Sequence, residues 1–180
     1  MELIEGIKGR RSVRTFTDEK ISHDTIEKIV DAARFAPTWK NSQTPGYVVV
    51  EDRNVMIDIA EKATFSFSHN KDIIKGAAAL VVLTSINKKS GYEKDGSFTT
   101  SKGNEWQMFD AGLAAEAFTL AAYNYGVGTV ILGIFDDAKV GEIIGLDDTK
   151  TVSALIPIGI PEAQPNPPKR NDVSEYLSFI

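Results

Sequence analysis

Cysteine is absent from this 180-residue sequence, and histidine occurs only twice. Without cysteine the chain can form no disulfide, thiolate nucleophile, iron–sulfur cluster or cysteine-ligated zinc site. His23 and His69 lie far apart in the sequence, and neither has carboxylates at the spacing typical of a metal site. We therefore expect no metal centre, and we expect both histidines to be surface residues.

Positive charge and long apolar runs are also scarce. Lys and Arg total 20 against 25 for Asp and Glu, so the net charge is -5 and nucleic acid is not an expected partner. The longest apolar run, Ala77 to Leu83, is far shorter than the roughly 20 residues that cross a bilayer. The first residues lack the basic and apolar parts of a signal peptide. These features predict a soluble, cytoplasmic protein with no membrane partner.

The remaining composition is that of a globular domain, with 42% hydrophobic and 25% charged residues, and predicts one domain over residues 1–180. Apolar periodicity and breaker residues predict helices over 2–9, 22–36, 54–62, 106–125 and 136–145, and strands over 47–51, 77–84, 129–132 and 152–158. Two helices precede the first strand, which favours an α+β fold over a doubly wound one. Four of the seven prolines follow residue 160, so the segment 160–180 should run extended over a surface.

A basic cluster stands out against the acidic background. Arg10, Arg11, Ser12 and Arg14 combine planar guanidinium donors with a hydroxyl, the set that binds a phosphate monoester. Lys169 and Arg170 form a second basic pair near the other end of the chain. Domain termini often lie close together, so both groups could surround one phosphate. The alternative is a solvated basic stretch after a helix.

Two glycine segments need separate interpretations. Gly126 and Gly128 do not fit a dinucleotide fingerprint, because position 131 is Ile and the order is helix to strand. They predict instead a helix C-terminus followed by close packing into a strand. Gly133, just after that strand, either lets backbone approach a flat ligand or is an ordinary turn glycine.

Two polar loops complete the pattern. The segment 37–46 contains two prolines and a high density of hydrogen-bonding side chains, which is common in functional loops. The segment 87–103 is rich in Gly, Lys, Ser and Thr and predicts a mobile surface loop, or a lid.

Three separated motifs together resemble the nitroreductase family. They are the segments Arg10-Arg11-Ser12-Val13-Arg14-Thr15-Phe16, Ala36-Pro37-Thr38-Trp39-Lys40-Asn41-Ser42-Gln43, and Asp110-Ala111-Gly112-Leu113-Ala114-Ala115, the last continuing through Gly126-Val127-Gly128-Thr129 to Leu132-Gly133. The resemblance covers nearly the whole chain. It implies an α+β fold with a central mixed, mainly antiparallel sheet flanked by helices, and an intertwined homodimer with two FMN sites at the subunit interface.

The resemblance also implies a role for particular residues. The FMN phosphate and ribityl chain would be held by Arg10, Arg11, Ser12, Lys169 and Arg170. Arg14 would lie at the pyrimidine edge of the flavin, and Leu132 and Gly133 would present backbone to its N5 and O4 side. The other subunit would close the site with Pro37, Thr38, Trp39 and Asn41.

The implied reaction is a ping-pong cycle. Hydride would pass from NADH or NADPH to N5 of a tightly bound FMN, and then to an electron-poor small molecule such as a nitroaromatic or a quinone. The alternatives are an FMN store or redox sensor without turnover, an enone reductase or dehalogenase on the same fold, and a plain α+β domain.

The sequence departs from the family pattern in two places. Thr44-Pro45-Gly46 stands where Pro-Trp is common, and the chain lacks the extra helical segment of larger members. The acceptor pocket would then be built by other aromatic residues. The candidates are Phe65, Phe67, Tyr92, Phe98 and Trp106, and the alternative for each is a place in the core.

Overall fold

The computed structural model describes residues 2–65 and 67–180. Its helices are α1 (Leu3–Gly9), α2 (His23–Ala33), α3 (Arg53–Lys62), α4 (Ser68–Gly76), α5 (Glu105–Asn124) and α6 (Asp137–Ile144). Its strands are β1 (Pro45–Val50), β2 (Ala79–Ile86), β3 (Gly128–Thr129) and β4 (Lys150–Gly159), with short 3-10 turns at Trp39–Asn41 and Val173–Glu175.

The strands form one sheet in the order β1-β2-β4-β3, and all three pairings are antiparallel. Among the described residues, parallel pairing is limited to an isolated bridge between Ser12 and Thr129. The α+β fold with a mainly antiparallel sheet is therefore confirmed.

Alternate residues of the central strands face two apolar layers. Val81 and Leu83 of β2 pack with α2 and α5, whereas Leu80 and Val82 pack with α3, α4 and α6. Because both faces are covered, β2 is buried from Ala79 to Ser85, as its uninterrupted apolar run predicts. Each face of the sheet thus contributes to a separate core.

Several helix boundaries follow directly from local chemistry. The Ser22 hydroxyl accepts a hydrogen bond from the Thr25 amide at 3.1 Å, and the Asp136 carboxylate accepts one from the Lys139 amide at 2.9 Å. Gly126 ends α5 with a φ of 75°, a conformation that favours glycine. These predicted helix ends are confirmed.

The structure corrects the expected elements in three places. Helix α4 is not predicted, because its apolar residues are confined to Ile73 and Ile74 and no side chain caps its start. Strand β3 is only Gly128–Thr129, and the chain rejoins the sheet at Leu132 through one bridge to Leu155. The proline-rich tail contains a 3-10 turn rather than running extended throughout.

Within residues 2–65 and 67–180, no helix combines the length and the apolar character needed to cross a membrane.

Candidate functional site

The basic segment 10–16 lies against the edge of the sheet. The Val13 amide donates to the Thr129 carbonyl at 2.9 Å, and the Thr17 amide donates to the Ile160 carbonyl at 2.9 Å. Val13 itself is buried, with 3% of its surface exposed. The segment is therefore fixed in an extended conformation between two backbone contacts.

Two glycines allow this close approach. A Cβ atom on Gly128 would lie 2.9 Å from Val13 Cγ1, and one on Gly159 would lie 2.7 Å from the ring of Phe16. Both distances are shorter than real Cβ contacts, so neither position has room for a side chain. The predicted close packing at Gly128 is confirmed.

The proline-rich tail brings the second basic pair back to the first. The Glu162 amide donates to the Thr15 carbonyl at 3.2 Å, so the tail starts beside the basic segment. The two segments enclose a pocket of about 330 Å³. Its lining residues are Arg10, Arg11, Ser12, Arg14, Pro165, Asn166, Pro168 and Arg170. We call it the basic pocket; Arg170 lines it as expected, whereas Lys169 does not.

Two guanidinium groups of the basic pocket are oriented by backbone oxygens. Arg11 Nη1 donates to the carbonyls of Lys8 and Arg10 at 2.6 and 2.7 Å, and Arg14 Nη1 donates to the Ser12 carbonyl at 3.2 Å. Arg10 Nε is buried and has no hydrogen-bond partner among the described residues, since Glu116 Oε1 is 3.8 Å away. An unpaired buried guanidinium nitrogen beside two further arginines fits a phosphate group.

A second pocket has a volume of about 430 Å³, and Arg14 lines both pockets. Its lining residues are Arg14, Phe67, His69, Asn70, Val130, Ile131, Leu132, Gly133 and Ile134. We call it the ring pocket, because a backbone edge beside apolar side chains suits a planar heterocycle.

The backbone of the ring pocket is held from two sides. Leu132 exchanges two hydrogen bonds with Leu155 of β4, at 2.8 and 3.2 Å, and the buried Asn70 donates from Nδ2 to the Ile134 carbonyl at 3.1 Å. Apart from its chain neighbours, no described residue has an atom within 4 Å of the Cβ position of Gly133, so that face of the backbone is open. A ligand can therefore reach Gly133, whereas Leu132 is buried and both of its backbone groups are paired with Leu155.

His69 and Asn70 of the ring pocket do not appear among the candidates from the sequence. Both belong to α4, which the apolar pattern does not predict. His69 is exposed, as expected, but its side chain borders a pocket instead of plain surface. In the sequence, these two residues are part of a polar stretch between Phe67 and Ile73, and that stretch by itself does not indicate a pocket.

The other predicted site loop lies apart from both pockets. Pro37, Thr38, Trp39 and Asn41 line neither of them. Thr38 instead borders a groove of about 370 Å³ beside α2, β1 and α5. Within one chain, the predicted site residues thus form two separate groups.

Asp110, which is not among the predicted site residues, holds this loop in place. The Trp39 amide lies 3.0 Å from both carboxylate oxygens of Asp110 on α5, and the Trp39 and Trp106 rings are 4.6 Å apart. Asp110 occurs in one of the motifs quoted above, but its hydrogen bonds form only when the loop packs against α5, so the sequence does not indicate them.

The aromatic residues predicted for the acceptor pocket do not lie together in one pocket. Phe67 borders the ring pocket, Trp106 contacts Trp39, and Tyr92 pairs with Phe98 at 4.8 Å. Phe65 is 67% exposed. The segment 87–103 is anchored rather than a free surface loop, because its Ser90 is fully buried.

Comparison with known proteins gives a consistent result. The model of the family described as "Nitroreductase family" matches residues 7–160. A protein of Archaeoglobus fulgidus, whose name pairs NADH dehydrogenase with NAD(P)H nitroreductase, is 30% identical over an alignment of 165 positions that covers 89% of this chain and 86% of that protein. The crystal structure of a nitroreductase family protein from Clostridium novyi NT is 30% identical with a TM-score of 0.78, covering 98% of this chain and 92% of the other.

A third similarity concerns the fold alone. A protein of Exiguobacterium sibiricum that was solved in complex with FMN has a TM-score of 0.83 at 19% identity, covering 100% of this chain and 98% of the other. The family match spans the basic segment, the loop 37–43, α5 and the ring-pocket backbone. The chain belongs to the nitroreductase family.

Proposed function

We propose that residues 1–180 form one FMN-binding domain that works as a cytoplasmic homodimer and reduces electron-poor small molecules with electrons from NADH or NADPH. The observation that carries this proposal is that Arg14 lines both the basic pocket and the ring pocket. FMN has the matching composition, a phosphate on a flexible chain joined to a planar ring. The names and ligands of the related proteins agree with it.

The basic pocket suits the phosphate end of FMN. Its arginines come from both ends of the chain, and the guanidinium groups of Arg11 and Arg14 are held by backbone carbonyls. A phosphate would supply the missing partner of Arg10 Nε. Arg10, Arg11, Ser12 and Arg170 are therefore the proposed phosphate ligands, with Lys169 a more distant contributor of charge.

The ring pocket suits the flavin. Gly133 offers backbone groups to its polar edge, Leu132 lines the pocket with its backbone paired to Leu155, and Arg14 lines this pocket and the basic pocket. A guanidinium group beside the pyrimidine edge would stabilise negative charge there and so favour the reduced cofactor.

The loop 37–41 supports the proposed dimer. Since it borders neither pocket of its own chain, it can reach the cofactor only in a second copy. The chain also exposes large apolar side chains at several places, which is typical of a surface that another protein covers. They include Leu3, Ile4, Ile7, Phe35, Phe109 and Tyr125. We propose that Pro37, Thr38, Trp39 and Asn41 close the partner's ring pocket.

FMN held in these two pockets would supply the hydride transfer between nicotinamide and acceptor. The chain would contribute binding, orientation and electrostatics. Its arginines would hold the phosphate, the backbone at Gly133 would orient the ring with Leu132 beside it, and the partner loop would restrict access of water.

The test compares FMN with riboflavin, which lacks the phosphate. Purified protein is loaded with each flavin and desalted, and the dissociation constants are measured by flavin fluorescence. Removing one charge-assisted hydrogen bond costs about 1.5–3 kcal/mol, so Arg170→Ala should weaken FMN binding roughly tenfold or more and leave riboflavin binding unchanged. Lys169→Ala removes the same charge next to it and should have a smaller effect, because Lys169 does not line the basic pocket.

Anaerobic NADH or NADPH is then added to the FMN-loaded protein. Bleaching of the visible flavin spectrum, followed by repeated turnover with a nitroaromatic or a quinone, supports the reductase. A retained flavin that neither nicotinamide bleaches would favour the store or sensor instead. Equal affinity for FMN and riboflavin would refute the proposed phosphate site.

A further inference from the structure

Asp110 is buried without a cationic partner. Of the acidic side chains in residues 2–65 and 67–180, it alone is buried, with 1% exposed, and no Lys or Arg within this part of the chain forms an ion pair with it. A buried carboxylate is costly unless hydrogen bonds compensate its charge. Here they come from the Trp39 amide, 3.0 Å from each oxygen, and from the Ser90 hydroxyl.

Through Ser90, Asp110 is also connected to the C-terminal part of the segment 37–46. Ser90 Oγ lies 3.2 Å from Ser42 Oγ and 3.5 Å from Thr44 Oγ1. A serine hydroxyl has one proton, and Ser90 donates it to Asp110, so the Ser42 hydroxyl must donate to Ser90. One carboxylate on α5 thus holds the loop at Trp39 directly and at Ser42 through Ser90.

The backbone between these anchors is strained. Lys40, Asn41 and Gln43 have φ values of 45°, 55° and 50°, in the left-handed region that favours glycine. Each such residue costs about 1–2 kcal/mol, so the conformation persists only if surrounding contacts enforce it. The Asp110 hydrogen bonds and the contact between the Trp39 and Trp106 rings supply that enforcement from one face of α5.

The indole of Trp39 carries an unpaired donor. Its Nε1 is buried and has no hydrogen-bond partner among the described residues. A loop held in a strained conformation, with an unpaired donor, is shaped for a ligand or for a second subunit.

We infer that Asp110 is a positioning residue for the FMN site of the other subunit: it fixes the loop 37–41 that closes that site. The inference rests on the proposed function. It assigns the carboxylate a role through Trp39 and not through any contact with the flavin.

The first test is Asp110→Asn, with Glu105→Gln as the matched control. Asn has the same shape but no charge, and its NH2 group would replace one of the two oxygens that lie 3.0 Å from the Trp39 amide, which sets two donors against each other. Glu105 is an exposed residue of the same helix, and its change removes the same charge. We expect Asp110→Asn to weaken FMN binding at least tenfold, and Glu105→Gln to leave it within twofold of wild type.

A mixed dimer separates positioning from general damage. Two differently tagged chains, one with Asp110→Asn and one with Arg14→Ala, are coexpressed and the heterodimer is purified. One of its sites combines the intact arginines of the first chain with the intact loop of the second, so one FMN per dimer should bind with wild-type affinity. If Asp110 instead acted on the site of its own chain, both sites would be defective and no tight site would appear.

The outcomes are distinguishable. A wild-type chain that retains no FMN overturns the proposed function itself. Tight binding by wild type with unchanged binding by Asp110→Asn, or a heterodimer without a tight site, overturns the inference alone. Should Asp110→Asn not fold, a chain with Ser90→Ala takes its place, because this change removes one of the donors to the carboxylate. The heterodimer of that chain with the Arg14→Ala chain must then show one tight FMN site.

Discussion

The contact between Gly128 and the basic segment gives the sharpest structural prediction. Gly128→Ala would place a methyl group 2.9 Å from Val13 Cγ1 and 2.9 Å from Pro161 Cγ. Carbon atoms pack best at about 3.5–4.0 Å, so both neighbours must retreat by roughly 0.6–1.1 Å. Val13 is β-branched and stiff, and it lies between Ser12 and Arg14. One methyl group therefore displaces both the basic segment and the start of the tail that carries Arg170.

The expected magnitude follows from this overlap. Overpacking of a closely packed site costs about 1–3 kcal/mol. For a domain of this size each kcal/mol lowers the melting temperature by about 2–4 °C, so a decrease of roughly 2–12 °C is expected. Displacing even one guanidinium contact should also weaken FMN binding by roughly tenfold.

Thermal unfolding and FMN titration check both effects on the same protein. Gly141→Ala is the matched control, because the new methyl group would be 3.8 Å from Leu146 inside α6, where alanine favours the helix over glycine by about 0.5–1 kcal/mol. Opposite signs are expected for the two variants. If Gly128→Ala were as stable as wild type and bound FMN equally well, the basic segment would not be positioned by this contact.

Three further outcomes are expected. Arg14→Ala should weaken FMN binding and lower the flavin reduction potential, measured by redox titration; unchanged affinity and potential would remove Arg14 from the ring pocket. Phe118→Ala should destabilise the fold by about 3–5 kcal/mol in urea unfolding, because this fully buried ring stacks on Tyr47; a loss below 1 kcal/mol would contradict its place in the core. Hydrogen bonds from Lys71 and Lys75 lower the pKa of Glu61 to about 2, so ionised Glu61 adds to the free energy of unfolding above its ordinary pKa of 4.5 and this addition disappears as the pH falls towards 2. Glu61→Gln should therefore lower the free energy of unfolding at pH 7 and make it less dependent on pH between 4.5 and 2, as measured by urea unfolding; an unchanged pH dependence would contradict this.

Sequence alone was enough for features that depend on local chemistry. Hydrophobic periodicity predicts α2, a long alanine-rich segment predicts α5, and an uninterrupted apolar run predicts the buried strand β2. Single residues such as Ser22 and Asp136 predict helix starts. The basic cluster was equally visible, because arginines are conspicuous in a chain of net charge -5. The motif resemblance supplied the family.

Other features depended on contacts between distant segments, which no local pattern encodes. Helix α4 has few apolar residues of its own and is held by packing against α3, so His69 and Asn70 were missed with it. Arg170 lines the basic pocket and Lys169 does not, and this difference depends on the path of the tail.

The role of Asp110 was decided in the same way. In the sequence it is one polar residue in a helix, and an exposed surface position would be the ordinary expectation. Only the tertiary structure brings the Trp39 amide and Ser90 to its carboxylate and makes a buried negative charge tolerable. The sequence by itself determined which chemical groups are available, and the tertiary structure decided which of them share a site, because that depends on how far-separated backbone segments pack.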